Sequence, residues 1–322
     1  MNSRWLIILA GLFLISSCVT DPSAVTSFSA IAPDATKLHT LTVAYANVPD
    51  QLIAVDVMKT LSSENTEQLE KQAKERNQQI TAIDALNTVL VSYMQSLGVL
   101  ANNGLVQTSP GTTDVTAGLT ALANAVPELR TTLTTNVIAG VGAVSTFLGD
   151  LVTSGYRQAQ LKNTIAKCEA PFQSLISVEK IIVTKGIIPE LTNIQDRTKR
   201  LAEMTHALEI NASAEYTKAS IPHQPTSEVD SLNPVLQGSG AADLASLLLL
   251  QRSITADLSA LSLQIKAANE YVTALDNIAK AHTILYNNRE KILTKDGAKS
   301  ALTQLTPLVK DAYTALEALK NI

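Results

Sequence analysis

The chain is poor in the residues that usually carry chemistry. Its 322 residues include two cysteines, four histidines and one tryptophan, and aromatics make up 4%. Cysteine and histidine this sparse, and this scattered, assemble no Cys–His constellation for nucleophilic catalysis. There is no Gly-x-Ser-x-Gly elbow, and no Gly-rich loop between a strand and a helix to cradle phosphate: Gly140 and Gly142 lie inside a helical pattern. No stretch alternates apolar and polar residues long enough to propose a sheet. Charge of one sign is also lacking, with 25 basic against 29 acidic residues and a net charge of −4. Lysines such as Lys71, Lys74, Lys162 and Lys199 are scattered among acids, as on a solvated helix surface. No basic face is dense enough for nucleic acid.

What is present is an ordinary apolar fraction, 46%, dominated by small and aliphatic side chains. Such residues suit closely packed helices. The most periodic stretch is a predicted helix over about 240–287. Its seam runs Leu244, Leu247, Gln251, Ile254, Leu258, Leu261, Ile265, Ala268, Val272, Leu275, Ala279, His282, Tyr286, with neither Pro nor Gly between Leu244 and Tyr286. About 45 helical residues reach ~68 Å. A helix of that length buries its stripe only against other helices. The expected fold is all-α: an elongated antiparallel helical bundle organised on this one long C-terminal helix.

The first residues carry one basic side chain, Arg4, then an apolar run from Trp5 to Ile15, then small residues. The run is shorter than the ~20 residues a spanning helix needs. This is the pattern of a secretory signal peptide over 1–17. The tetrapeptide Ile15-Ser16-Ser17-Cys18 resembles the lipobox of bacterial lipoproteins. That resemblance covers the leader alone. It implies cleavage before Cys18, lipidation of Cys18, and a membrane partner engaged through the acyl chains, each buried CH₂ contributing ~0.8 kcal/mol. Val19, in place of an Asp, leans towards the outer membrane; Asp21 is two places too late for the retention pattern. With Cys18 lipidated, Cys168 has no partner for an intrachain disulfide, and a structural role is expected for it. Residues 18–34, rich in Ser, Thr, Ala and Pro, read as a flexible tether, and 35–322 as a single helical-bundle domain.

Within that domain, two short helices divided by Pro49 are expected between Asp34 and Leu61. A helix over 62–101 follows, polar over Glu64–Gln79 and ended by Asn102-Asn103-Gly104 in the left-handed conformation. After a short helix over 114–126, a helix is expected over 127–167, with an apolar middle at 137–152. Pro171 should open another, closed by Lys185-Gly186. Pro189 should start the next, over 188–215. The Pro-rich stretch 216–239 reads as a crossover between ends of the bundle. The last segment should fold back on the long helix, kinked or restarted at Pro307 with Thr306 as cap.

Candidate chemistry is thin. Glu203 and His206 have the Glu-x-x-His spacing of di-iron bundles, but His39, His223 and His282 lack a Glu three residues before them, so no second pair completes a metal site. No metal or cofactor is expected. His282 and Gln251 fall on the long seam, where a core histidine donating to a neighbouring helix is expected at one end, Gln251 is its counterpart at the other, and polar residues set register; on that reading His282→Leu should keep or raise stability. The function these readings favour is non-enzymatic: a lipid-anchored envelope scaffold or interaction module at the outer membrane facing the periplasm, holding a protein partner. An alternative is a membrane-active protein similar in architecture to α-helical pore-forming toxins, with 137–152 inserting.

Overall fold

The computed structural model describes residues 20–55, 63–106, 112–125, 130, 133–154, 158–220 and 235–322. The lipobox residues, Cys18 included, lie outside them. The described residues form helices and turns, with no strand among them, and the all-α expectation holds. Four short helices come first: α1 (Ser23–Ser29), α2 (Ala32–Ala35), α3 (Leu38–Ala46) and α4 (Val48–Val55). Then follow α5 (Ser63–Ala101), α6 (Thr112–Ala125), α7 (Thr135–Ser154), α8 (Leu161–Ile181), α9 (Ile188–Ser220), α10 (Val235–Asn288) and α11 (Lys295–Glu317). One apolar core draws on all of these elements.

The frame is a hairpin of two very long rods. α10 is 54 residues, ~80 Å at 1.5 Å per residue, and so longer than the periodic seam alone indicated. Its partner is α8 and α9 read as one rod, because the helix does not break at Lys185-Gly186. Ile182–Ile187 forms a π-helical segment, and the chain passes through it into α9. A π segment shifts the ladder to i→i−5, which accommodates Pro189 and its missing N–H. The antiparallel register is pinned along its length: Lys162 to Glu290 at 3.1 Å, Gln173 to the Ala279 carbonyl at 3.0 Å, Lys180 to Asp276, and Gln195 to Ser262 at 2.8 Å. Since α9 and α10 are direct neighbours, the connection between them joins adjacent helices and is no crossover. Of the expected stretch 216–239, residues 216–220 and 235–239 are helical, and 221–234 lie outside the described residues.

Several expected boundaries are corrected. The predicted helix over 127–167 is two helices, α7 and α8, with a 3-10 turn at Gln158–Gln160 ahead of α8. Pro171 sits inside α8 rather than opening a helix. Pro307 likewise lies within an unbroken α11, whose cap is Thr294, not Thr306: the Thr294 hydroxyl accepts from the Gly297 N–H at 3.2 Å. Gly297 is required there, because a Cβ would fall 2.0 Å from the Lys291 carbonyl oxygen. Two details agree with expectation. Pro49 lies in the first turn of α4, and Asn103 ends α5 with φ 57°.

The largest correction concerns the tether. From Thr20 onward the expected flexible segment is folded. α1 and α2 bury Ala24, Val25, Phe28, Ile31 and Ala32 in the core. The Asp21 N–H donates to the Leu293 carbonyl at 3.0 Å, and Gln158 donates to Thr20 at 3.2 Å. Ser, Thr and Ala are compatible with a linker, but Val25, Phe28 and Ile31 at 3-3 spacing give this segment an apolar face that α5 and α11 cover.

Candidate functional site: a buried polar chain in the core

Polar residues that cross an apolar core cost stability unless each finds a partner. Such a chain joins α5, α8 and α10. His282 on α10 is fully buried. Its Nε2 lies 2.7 Å from the Tyr93 hydroxyl on α5, and its Nδ1 lies 2.5 Å from Glu169 Oε2 on α8. Glu169 Oε1 accepts from Thr283 at 2.9 Å and from Gln173 at 3.2 Å. Phe172, Tyr93 and Phe28 pack round the imidazole with ring centroids 4.4, 5.4 and 5.9 Å away.

Burial pushes the His282 pKa down, outweighing the hydrogen bond and charge of Glu169 that push it up. A neutral ring donating from Nδ1 to the Glu169 carboxylate and accepting at Nε2 from Tyr93 satisfies all three groups. Burial alone would raise the Glu169 carboxyl, but hydrogen bonds from His282, Thr283 and Gln173 together hold it below the usual carboxylate range. Burial raises the Tyr93 hydroxyl well above its ordinary value, so it remains a donor.

A second chain lies along the same interface. Tyr271 on α10 donates to Glu179 Oε2 on α8 at 2.9 Å and approaches Asn87 Oδ1 on α5 at 3.3 Å. Asn87 in turn donates to the Ala35 carbonyl at 2.9 Å. Glu179 is buried at the end of α8, against the π segment, and its Oε1 has no hydrogen-bond partner. Burial pushes this carboxyl up to about 8, opposed by the Tyr271 hydroxyl, so it is neutral at pH 7.

A hydroxyl–imidazole–carboxylate series can relay a proton in an open cleft. Here Tyr93 and His282 are both 0% exposed, and no substrate reaches the hydroxyl. The arrangement therefore fixes which faces of α5, α8 and α10 meet. It reverses the expectation for His282→Leu, because Leu would remove the Nε2 acceptor of Tyr93 and the donor to Glu169 Oε2.

The other candidate residues do not assemble. Glu203 and His206 lie on the exposed face of α9, where His206 meets Glu209 at 3.5 Å. Among the described residues no three metal-ligating side chains come together. Cys168 is buried beside Tyr93, and burial pushes its thiol up to about 12, far from a nucleophile. Within 137–152 the inward face of α7 carries Val141, Val144, Leu148 and Leu151, which are core residues. Gly140 and Gly142 admit Ser174 and Thr116, which a Cβ would meet at 3.2 and 3.0 Å.

Sequence reasoning missed Glu169 and Glu179. Both stand on the apolar seam of α8, which runs Ile165, Cys168, Phe172, Leu175, Ile176, and a charged residue in a core register was the available signal. Among the described residues one helix, Leu244–Asn288, is long and apolar enough to cross a membrane, and little of its most apolar part is buried. No family matches the chain, and no curated protein or solved structure matches it.

Proposed function

We propose that the protein is a non-enzymatic, lipid-anchored scaffold of the bacterial envelope, held in the outer membrane through Cys18 and presenting a helical arm to a protein partner in the periplasm. The observation that carries this reading is the placement of the two ends of the rod. Thr20 and Asp21 are tied to Gln158 and Leu293, at the foot where α10 turns into α11. Two residues of chain span at most ~7 Å, so acyl chains on Cys18 would set that foot directly on the lipid surface. The far ends of α9 and α10 then stand on the order of 80 Å from the foot, set by helix length. A body this tightly tied to its anchor suits holding something at a fixed height, where a long tether would not.

The test is fractionation of cells carrying Cys18→Ala. The variant should move from the membrane pellet to the soluble fraction while keeping its helical circular dichroism. Continued sedimentation with membranes would remove the lipid-anchor reading.

A further inference from the structure

Two faces of α10 follow a 3-4 spacing, not one. The first faces α8 and α9 and carries Ile254, Leu261 and Leu275. The second runs Ala245, Leu249, Arg252, Ala256, Ala260, Leu263, Ala267, Tyr271, Ala274, Ile278, Ala281 and Leu285. Along this second line, Ala267 to Leu285 are all buried. Ala245 to Leu263 are all exposed, Leu249 by 68% and Leu263 by 47%. The change falls where α11 ends: Leu263 and Ala267 share a groove of about 410 Å³ with Thr314 and Glu317 of α11. The apolar face outlasts the helix that covers it.

We infer that this bare face pairs with the same face of a second copy, the two α10 helices running antiparallel. This deepens the scaffold reading and rests on it, naming the partner as the protein itself. Three features select a second copy. The bare face continues a line that is already a helix–helix interface lower down, so its occupant is another helix. It carries one charge, Arg252, and no acidic group to complement a basic partner. Its large and small side chains are self-complementary. With the two-fold axis crossing the bare face level with residue 254, Leu263 lies opposite Ala245 and Arg252 opposite Ala256. Large on small is how helix surfaces interlock. A parallel pairing would set Arg252 on Arg252 and Leu249 on Leu249. The groove at the end of α11 lies where the start of the partner's α10 would pass.

The face from Ala245 to Leu263 is ~28 Å long and on the order of 300 Å² per copy. That is well under the ~800 Å² per partner of a standard interface, so the pairing is reversible. The test is sedimentation velocity on the chain from residue 18 on, carrying Cys18→Ala so that no lipid contributes, across micromolar to millimolar concentration. A concentration-dependent dimer is expected. Ala256→Arg should weaken it at least tenfold, while Lys280→Glu, on an exposed part of α10 off this line, leaves it unchanged. Circular dichroism of each variant reports whether it is folded. A monomer throughout, or a dimer indifferent to Ala256→Arg, overturns the proposal. So does flotation of the same Cys18→Ala chain with phosphatidylethanolamine–phosphatidylglycerol vesicles if Ala256→Arg abolishes it, since lipid would then be the occupant. None of these outcomes bears on whether Cys18 anchors the wild-type protein, which the fractionation experiment decides alone.

Discussion

The two halves of α10 have similar sequence and different surroundings. Below about residue 265 in the rod, where α5, α8 and α11 converge with α1, helix positions on two faces are buried: Ala267, Ala268, Tyr271, Ala274, Leu275, Ile278. Above it, α9 is the chief neighbour. There only Ile254 and Leu261 fall below a few per cent exposure, and Leu248 and Leu249 face outwards. Aliphatic residues recur at the same spacing in both halves. What differs is the number of helices at hand to cover them, and that number decides where the free energy of packing resides. The lower half also holds both polar chains, so specificity and stability are concentrated at the foot while the arm is left to a narrow seam.

That contrast can be broken or sharpened by substitution. Leu275→Ala removes a fully buried side chain and should cost about 2–5 kcal/mol in denaturant unfolding. Its upper counterpart Leu249→Ala should stay within about 0.5 kcal/mol. Equal losses would mean the arm is as tightly packed as the foot.

Glu179 provides a comparison within the foot. Its folded pKa, about 8, is raised above the ordinary 4.5. Between those values the unfolded chain has lost the proton that the folded chain keeps, so stability falls as pH rises, by up to about 1.4 kcal/mol per unit from this group. Glu179→Gln should therefore become more stable relative to wild type as pH rises from 4.5, the gap growing by about 3 kcal/mol by pH 7 and levelling above 8. A pH-independent gap would mean the carboxyl is ionised in the folded protein.

His282→Leu should lose about 1–3 kcal/mol at pH 7, the cost of stranding Tyr93 and weakening the hold on Glu169. Its deficit should shrink below pH 6.5. There the unfolded wild-type chain binds a proton that buried His282 resists, so wild-type stability falls as pH falls. A variant as stable as wild type would restore the simple view of a histidine that merely sets register.

Much of the shape was legible in advance. The 3-4 spacing located α10, α11, the apolar part of α5 and the lower part of α9, because helical periodicity is a local property of the chain. Proline was the least reliable guide. Pro171 and Pro307 each suggested a boundary, and each lies inside a helix; Pro189 does stand in the first turn of α9, though the chain enters it through the π segment without a break. Packing on both sides of such a helix compensates for one missing hydrogen bond. The segment 20–34 was misjudged for a related reason. Its composition permits a linker, and only the apolar cleft formed by α5 and α11 makes folding it favourable. The polar chains were half visible, since His282 stood on a seam, but its partners are 113 and 189 residues away in sequence, beyond any local pattern.

The sequence by itself settled that this chain is helical, that a long uninterrupted helix lies near its end, and that few side chains are available for chemistry. Periodicity and composition carry that information without reference to neighbours. Only the tertiary structure decided which faces of that helix are covered, that His282 and Glu179 are locked into separate polar chains, and that Thr20 and Asp21 are tied into the folded body. These depend on which surfaces meet in space, and a helix written in sequence does not say what lies against it.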